Sequence, residues 1–363
     1  MDSTKSEKIM VGLSGGVDSS VTAALLVNAG YQVEGLFMFN WEEEDTQYCT
    51  SSEDYADAKR VCDTLGIPLH QTNFAHEYRE LVFAHFLSEY QAGRTPNPDV
   101  LCNREIKFGA FLAHSKRLGA DKIATGHYAR IVPAGEQVEL HMASDSKKDQ
   151  SYFLHAVPQA ALAQSLFPLG ELEKTEVRTT ALEQGLHVHK KHDSTGICFV
   201  GERPFREFLK QFIPAQPGEI RTLDDMRVGE HVGLMFYTLG QRQGLGIGGQ
   251  ANAKESPWYV AKKDLGANVL YVTQEREHEC LMSSSMAVDH LTWISGSPPA
   301  LPVNCQVKTR YRQTSVNCEI NYQSNKRLSV HFETPQWAVT PGQYAVFYEG
   351  TKCLGGGTID SHN

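Results

Sequence analysis

Apolar and polar positions follow two different regimes along the chain, and the change comes a little past its middle. At first, short apolar runs alternate with stretches of helical period. Ile9-Met10-Val11-Gly12-Leu13 reads as a buried strand, and Val17 to Ala29 as a helix closed by Gly30. Val33 to Phe39 is a second strand, followed by a helical pattern from Glu53 to Leu65. Leu69–Asn73 and Lys122–Thr125 add short strands, with helical periodicity over Glu77–Tyr90 and Arg104–Leu118. Apolar strands that alternate with helices predict an α/β domain, a parallel sheet covered on both faces.

Pro214, Pro217 and Gly218 punctuate the end of this regime. Beyond them helical periodicity is scarce. Trp258–Ala261 and Asn268–Val272 read as strands around a turn at Asp264–Gly266. Val303–Arg310, Cys318–Tyr322, Arg327–Phe332 and Tyr344–Tyr348 follow as short strands, with Pro341-Gly342 as a turn. A small β-rich central domain and a C-terminal β-barrel are expected, with boundaries at 1–204, 205–280 and 281–363. A length of 363 residues fits two or three cores better than one.

Composition narrows the class of protein rather than its activity. Hydrophobic content of 41% and charged content of 21% are those of a soluble protein. No apolar run approaches the roughly 18 residues needed to span a bilayer. The first residues, MDSTKSEKIMVGLSGG, lack an apolar signal core, so the cytoplasm is the expected compartment. The net charge of −9 argues against indiscriminate nucleic-acid binding but leaves room for a local basic patch. None of the eight cysteines forms a CxxC pair, so neither a zinc ribbon nor a thioredoxin-type site is suggested.

The most informative segment is Gly12-Leu13-Ser14-Gly15-Gly16-Val17-Asp18-Ser19-Ser20, between the first strand and the first helix. Two adjacent glycines let backbone N–H groups converge on an anion, and the serines and the helix N-terminus add donors and dipole. There is no GK[ST], so this is not the loop that grips β- and γ-phosphates in Walker-type sites. SGGVDS resembles the pyrophosphate loop of the N-type ATP pyrophosphatases, which have an adenine-nucleotide α-hydrolase-like, Rossmann-like fold. The resemblance implies ATP, with substrate oxygen attacking the α-phosphorus and Asp18 near the phosphates through Mg²⁺. It leaves the substrate open.

Two cysteine segments follow. In Thr95-Pro96-Asn97-Pro98-Asp99-Val100-Leu101-Cys102-Asn103 the prolines are expected to hold extended backbone before the Arg104 helix, leaving Cys102 close to a helix N-terminus, where thiols are reactive. The other is His192-Asp193-Ser194-Thr195-Gly196-Ile197-Cys198-Phe199. Taken singly, each cysteine reads as well as a small buried hydrophobe. Together with SGGVDSS, the segments PNPDVLCN, TGHYAR, KKDQSYFL, DSTGICFVG and YTLGQRQGLGIGG resemble, in this order, the bacterial tRNA-specific 2-thiouridylases (the MnmA family).

The resemblance implies ATP-dependent adenylation of the C2 oxygen of a wobble uridine, then sulfur transfer from a cysteine persulfide. Cys198 matches the persulfide carrier, Cys102 the thiol that attacks it to leave a Cys102–Cys198 disulfide, and Asp99 the acid/base residue. Gly12 to Ser19 match the nucleotide loop, and Met38 and Gly126 match positions around the adenosine. Asn97, Pro98 and Asp99 match the segment beside the target base. His127, Lys148, Asp149, Gln150, Arg310, Tyr311 and Gln343 match tRNA contacts. Implied partners are tRNAs for Lys, Glu and Gln and a sulfur donor, either a cysteine desulfurase or a relay protein.

Several features stay open on the residues alone. Lys147-Lys148 and Lys190-Lys191 read equally as solvated charge or phosphate contacts. His187, His189 and His192 read as a solvated loop rather than a metal site, with no acid or cysteine at ligand spacing. Gly240 to Gly249 reads as a flexible surface loop. Arg310-Tyr311-Arg312 offers two cations flanking a ring, which suits looped RNA. Two other functions compete: an ATP-dependent ligase for a small molecule, and an RNA-binding protein with a vestigial nucleotide site.

Overall fold

A computed structural model describes residues 7–41, 51–193, 205–247, 256–323 and 327–363. Strand β1 (Lys8–Leu13) lies at the centre of a parallel sheet, flanked by β2 (Gln32–Phe39) and β4 (Lys122–Ala124), with β3 (Leu69–Asn73) and β7 (Ser165–Leu166) at the edges. A central strand is buried on both faces, and that is why Ile9 to Leu13 carries no polar side chain. Helix α1 (Val17–Asn28) packs on one face through Val17, Val21 and Ala24. Gly30, at φ 85°, supplies the left-handed residue that ends it. Helix α2 (Ser51–Leu65) connects β2 to β3.

The helix expected at Arg104–Leu118 instead runs from 98 to 117, with wider π-type turns over Cys102–Ala110. Asn97 caps it: its Oδ1 accepts from the Asp99 N–H at 3.1 Å, and Pro98 takes the first helical position. Proline is tolerated there because that N–H has no helical partner anyway. The proline pair is thus a helix start rather than a spacer, and Asp99, Cys102 and Asn103 all lie on the first turns.

The central domain is a four-stranded sheet in the order β10-β11-β8-β9: Tyr259–Asp264, Val269–Thr273, Gly218–Thr222 and Arg227–His231. The C-terminal strands are β12 (Met282–Trp293), β13 (Val303–Lys308), β14 (Val316–Gln323), β15 (Arg327–Trp337), β16 (Tyr344–Glu349) and β17 (Lys352–His362). Pairing of β12 with both β15 and β17 closes them into a six-stranded antiparallel barrel. The closing strand carries Gly355-Gly356-Gly357, a run that reads as loop by propensity. A Cβ on Gly355 would lie 2.1 Å from the Thr292 carbonyl, and one on Gly357 2.4 Å from that of Asp289, so close approach of β12 requires glycine.

A hairpin of the first domain, β5 (Ala129–Ala134) and β6 (Gln137–Met142), extends the barrel sheet through β17, with Cys353 opposite Leu140. The Lys352–Glu139 ion pair at 2.6 Å spans the same seam. The α/β domain and the barrel therefore share one sheet, which fixes their relative placement.

Candidate active site

The loop between β1 and α1 is held open from within. Gly15 is at φ 73°, and a Cβ there would meet the Asp54 backbone oxygen at 2.3 Å. The Ser19 hydroxyl lies 3.2 Å from both the Ser14 N–H and the Ser14 hydroxyl, and the Ser20 hydroxyl donates to the Gly16 carbonyl at 2.8 Å. A Cβ at Gly126 would fall 2.8 Å from the Asp18 carbonyl carbon and the Ser19 nitrogen. One at Gly12 would touch Phe111 and Met38. With side chains excluded at these positions, the loop lies close against its neighbours at the carboxyl end of the central strand, where open α/β sheets bind ligands, and it forms the candidate cradle. Asn40, two residues past Met38, has a buried Oδ1 without a hydrogen-bond partner among the described residues.

Asp18 anchors a charge network around that cradle. It accepts from Lys174 Nζ at 2.6 and 2.8 Å and from the Tyr128 hydroxyl at 2.9 Å. Lys174 also pairs with Asp193 at 2.8 Å, and Asp193 pairs with Lys148 at 2.7 Å and Arg178 at 3.0 Å. Burial alone would raise the Asp193 carboxyl, but the hydrogen bonds from Lys148 and Lys174 hold it at about 2. Lys174 and Tyr128 are far from the loop in sequence; Tyr128 lies within the TGHYAR segment, but nothing local pairs either residue with Asp18.

The second half of the site sits on the 98–117 helix. Asp99 is half-buried, which raises its carboxyl above the usual range, while the charge of Lys107 opposes the rise. The same lysine adds to the burial that drives His127 well below the ordinary imidazole range. His127 is therefore neutral, bonded to the Thr125 hydroxyl at 2.7 Å and flanked by Phe108 and Phe167 at 5.7 and 5.8 Å. Lys107 thus acts electrostatically on both Asp99 and His127. Its spacing of eight from Asp99 becomes legible only when the helix starts at Pro98. Cys102 is 2% exposed. Cys198 lies outside the described residues.

The segment leading to Asn97 is gripped from two other domains. Gln343 donates to the Thr95 carbonyl at 2.7 Å, and the Thr95 N–H donates to the Pro341 carbonyl at 3.0 Å. From the central domain, the Thr238 hydroxyl meets that of Thr95 at 3.2 Å.

Residues 7–202 match the sequence family described as the tRNA methyl transferase HUP domain. Residues 206–274 match its PRC-barrel domain, and 283–359 an aminomethyltransferase beta-barrel domain. A Chromohalobacter salexigens protein named tRNA-specific 2-thiouridylase MnmA is 58% identical over 98% of this chain and 92% of its own. Its namesakes in Actinobacillus succinogenes and Ralstonia nicotianae are 57% and 55% identical over 98% of this chain, and 92% and 96% of theirs. The chain belongs to the MnmA family.

Several positions matched to tRNA contacts in MnmA have internal partners here. Asp149 is buried and accepts from the Ala143 and Ser151 N–H groups and the Ser151 hydroxyl, with Lys308 at 3.3 Å. Gln150 accepts from the Tyr128 N–H at 3.0 Å. One terminal nitrogen of Arg310 reaches the carbonyls of Leu239 and Ala338 at 3.1 and 2.8 Å, and its guanidinium lies over Trp337 at 5.5 Å. Arg310 therefore ties the central domain to the barrel. The Tyr311 ring is half-buried and packs on Phe153 with centroids 4.3 Å apart.

Two expectations outside the family positions are corrected. His187 is no part of a solvated loop: it pairs with Asp57 at 2.8 Å, and Lys191 pairs with Asp54 and Asp57 at 2.7 and 2.6 Å. The charges of α2 recruit them. Gly240 is likewise anchored rather than free, with its N–H on the Val260 carbonyl at 2.8 Å and no room for a Cβ against Trp337.

Proposed function

We propose that this chain replaces the C2 oxygen of the wobble uridine in tRNA with sulfur, converting ATP to AMP and pyrophosphate. The observation that supports the reading is the packing of the nucleotide loop against the helix that carries Asp99 and Cys102, through Gly12 and Phe111, with Gly126 of the His127 turn close against Asp18 and Ser19. The uracil oxygen attacks the α-phosphorus of ATP and pyrophosphate leaves into the cradle. Backbone N–H groups of the loop and the head of α1 receive the charge that develops on it. Met38 and Gly126 border the adenosine. Mg²⁺, when bound, neutralises the departing pyrophosphate. Asp18 and Asp193 are suited to hold it, since both carboxylates already face one cation, Lys174.

Sulfur then arrives as a persulfide on Cys198. Its terminal sulfur attacks C2 and AMP leaves, with Asp99 moving the proton. Cys102 attacks Cys198 Sγ, which frees the thiocarbonyl and leaves a Cys102–Cys198 disulfide for an external thiol to reduce. Burial, which raises the Asp99 carboxyl above its usual range, supports its acid role. Acceptors are the tRNAs for Lys, Glu and Gln, with Asn97, Pro98, His127, Lys148 and Tyr311 around the anticodon. A cysteine desulfurase or a relay protein supplies the sulfur. The cytoplasm is the compartment; no helix among the described residues is long and apolar enough to cross a membrane.

The family descriptions speak of methyl transfer, whereas the named relatives are thiouridylases; on the present reading the loop receives a pyrophosphate, which methyl transfer does not release. Pyrophosphate release should depend on added tRNA and match AMP one for one. Release at the same rate without tRNA would favour a small-molecule ligase, and none under any condition would contradict adenylation.

A further inference from the structure

Asn103 is 3% exposed, on the turn of the 98–117 helix that follows Asp99 and next to Cys102. Its amide orientation is fixed by a neighbour: the Phe153 carbonyl can only accept, and it lies 3.4 Å from Nδ2. Oδ1 therefore points the other way, and it has no hydrogen-bond partner among the described residues. A buried amide oxygen without a donor is destabilising, so an orphan beside reactive groups asks what donor it serves. The wall next to it is aromatic. Phe153, whose carbonyl orients the amide, packs tilted against Tyr311, and Tyr311 in turn lies within the field of the Asp99 carboxyl. Both rings are only half-buried, so a planar base can reach this corner by displacing them.

We infer that Asn103 Oδ1 accepts the N3–H of the target uracil and is the residue by which the site selects uridine over cytidine. This rests on the thiouridylase reading above. Uracil presents an N–H between two carbonyls, whereas the same ring position of cytosine is a bare acceptor that would oppose Oδ1 lone pair to lone pair. A site built around a donor rejects a base that lacks it, because the buried acceptor is then left unpaired. Holding N3 also turns the C2 carbonyl to one fixed side, toward the nucleotide. Asn103 thus determines specificity and positions the base without taking part in the chemistry.

The test uses the full-length enzyme with ATP, a persulfide donor and anticodon stem-loops carrying uridine, N3-methyluridine or cytidine at the target position. Wild type should lose at least about 100-fold in kcat/KM on N3-methyluridine, which lacks the donor and collides with Oδ1. Asn103→Ala should lose about 10- to 100-fold on uridine, yet turn over N3-methyluridine within about threefold of uridine. A merely structural asparagine would lower both substrates together and leave the methyl penalty unchanged; that result overturns the assignment while wild-type thiolation of uridine still stands. If wild type thiolates no stem-loop, both readings fall. Should Asn103→Ala not fold, wild-type affinity for a stem-loop with 3-deazauridine, which carries C–H in place of N3–H, decides. A loss of about tenfold is expected, and equal affinity contradicts the assignment.

Discussion

At Asp18 the carboxylate already accepts from Lys174 and Tyr128, so a phosphate or metal arriving at the loop meets a positioned group. Asp18→Asn keeps the shape and removes the charge, while Asp193 still holds Lys174. Pyrophosphate release should fall at least about 100-fold, with tRNA affinity unchanged. An unaltered rate would remove Asp18 from the chemistry. His155 gives a prediction of another kind. It is 1% exposed, donates through Nδ1 to the Tyr152 carbonyl at 2.7 Å, and burial pushes it down to about 4. The unfolded chain binds its proton near pH 6.5 and the folded one only near 4, so between those values the unfolded state holds more protons. Stability should therefore fall as pH drops through this window, at about 1.4 kcal/mol per pH unit for one proton. Denaturant titrations from pH 7 to 4 should show His155→Asn flattening the slope by that amount, and an unchanged slope would exonerate the residue.

Among elements, the 98–117 helix and the barrel seam decide how much a reader of the sequence can see. Arg310 looks like a phosphate contact from its neighbours Tyr311 and Arg312. Three-dimensional packing instead gives it carbonyls from two domains. Arg310→Met should destabilise the fold by about 2–3 kcal/mol through orphaned carbonyls, and leave the salt dependence of tRNA binding as it was. A stable variant with a shallower salt slope would return Arg310 to the RNA. The nucleotide loop was legible because strand, glycines and helix head are contiguous. Asp99 and Cys102 stand out in the sequence three residues apart, but the helical periodicity becomes visible only at Arg104, six residues after the helix starts, because Pro98 reads as extended backbone. That displacement hid Asn103 and Lys107, which share the helix with Asp99. The pairing of Lys174 and Tyr128 with Asp18 is not legible in the sequence, because it arises only through tertiary folding. The closing strand β17 escaped for a different reason: its three glycines lower strand propensity, and only the approach of β12 explains them.

The molecule as a whole brings three domains onto one short segment. The barrel turn at Pro341–Gln343 and the central-domain Thr238 both hold Thr95, two residues before the Asn97 cap. The hairpin Ala129–Met142 then welds the nucleotide domain to the barrel. The start of the helix that carries Asp99 and Cys102 is thus set by contacts from all three, so on the proposed function mutations remote from the cradle should act on catalysis without touching substrate. This architecture serves one central claim, the exchange of oxygen for sulfur through Cys198. Mass spectrometry of nucleosides from tRNA incubated with the protein, ATP and a protein persulfide tests it most directly. Wild type should yield a uridine heavier by about 16 Da, the difference between sulfur and oxygen, and Cys198→Ser should yield none. A product heavier by about 14 Da, the mark of methylation, or thiolation that persists in Cys198→Ser, would contradict the account.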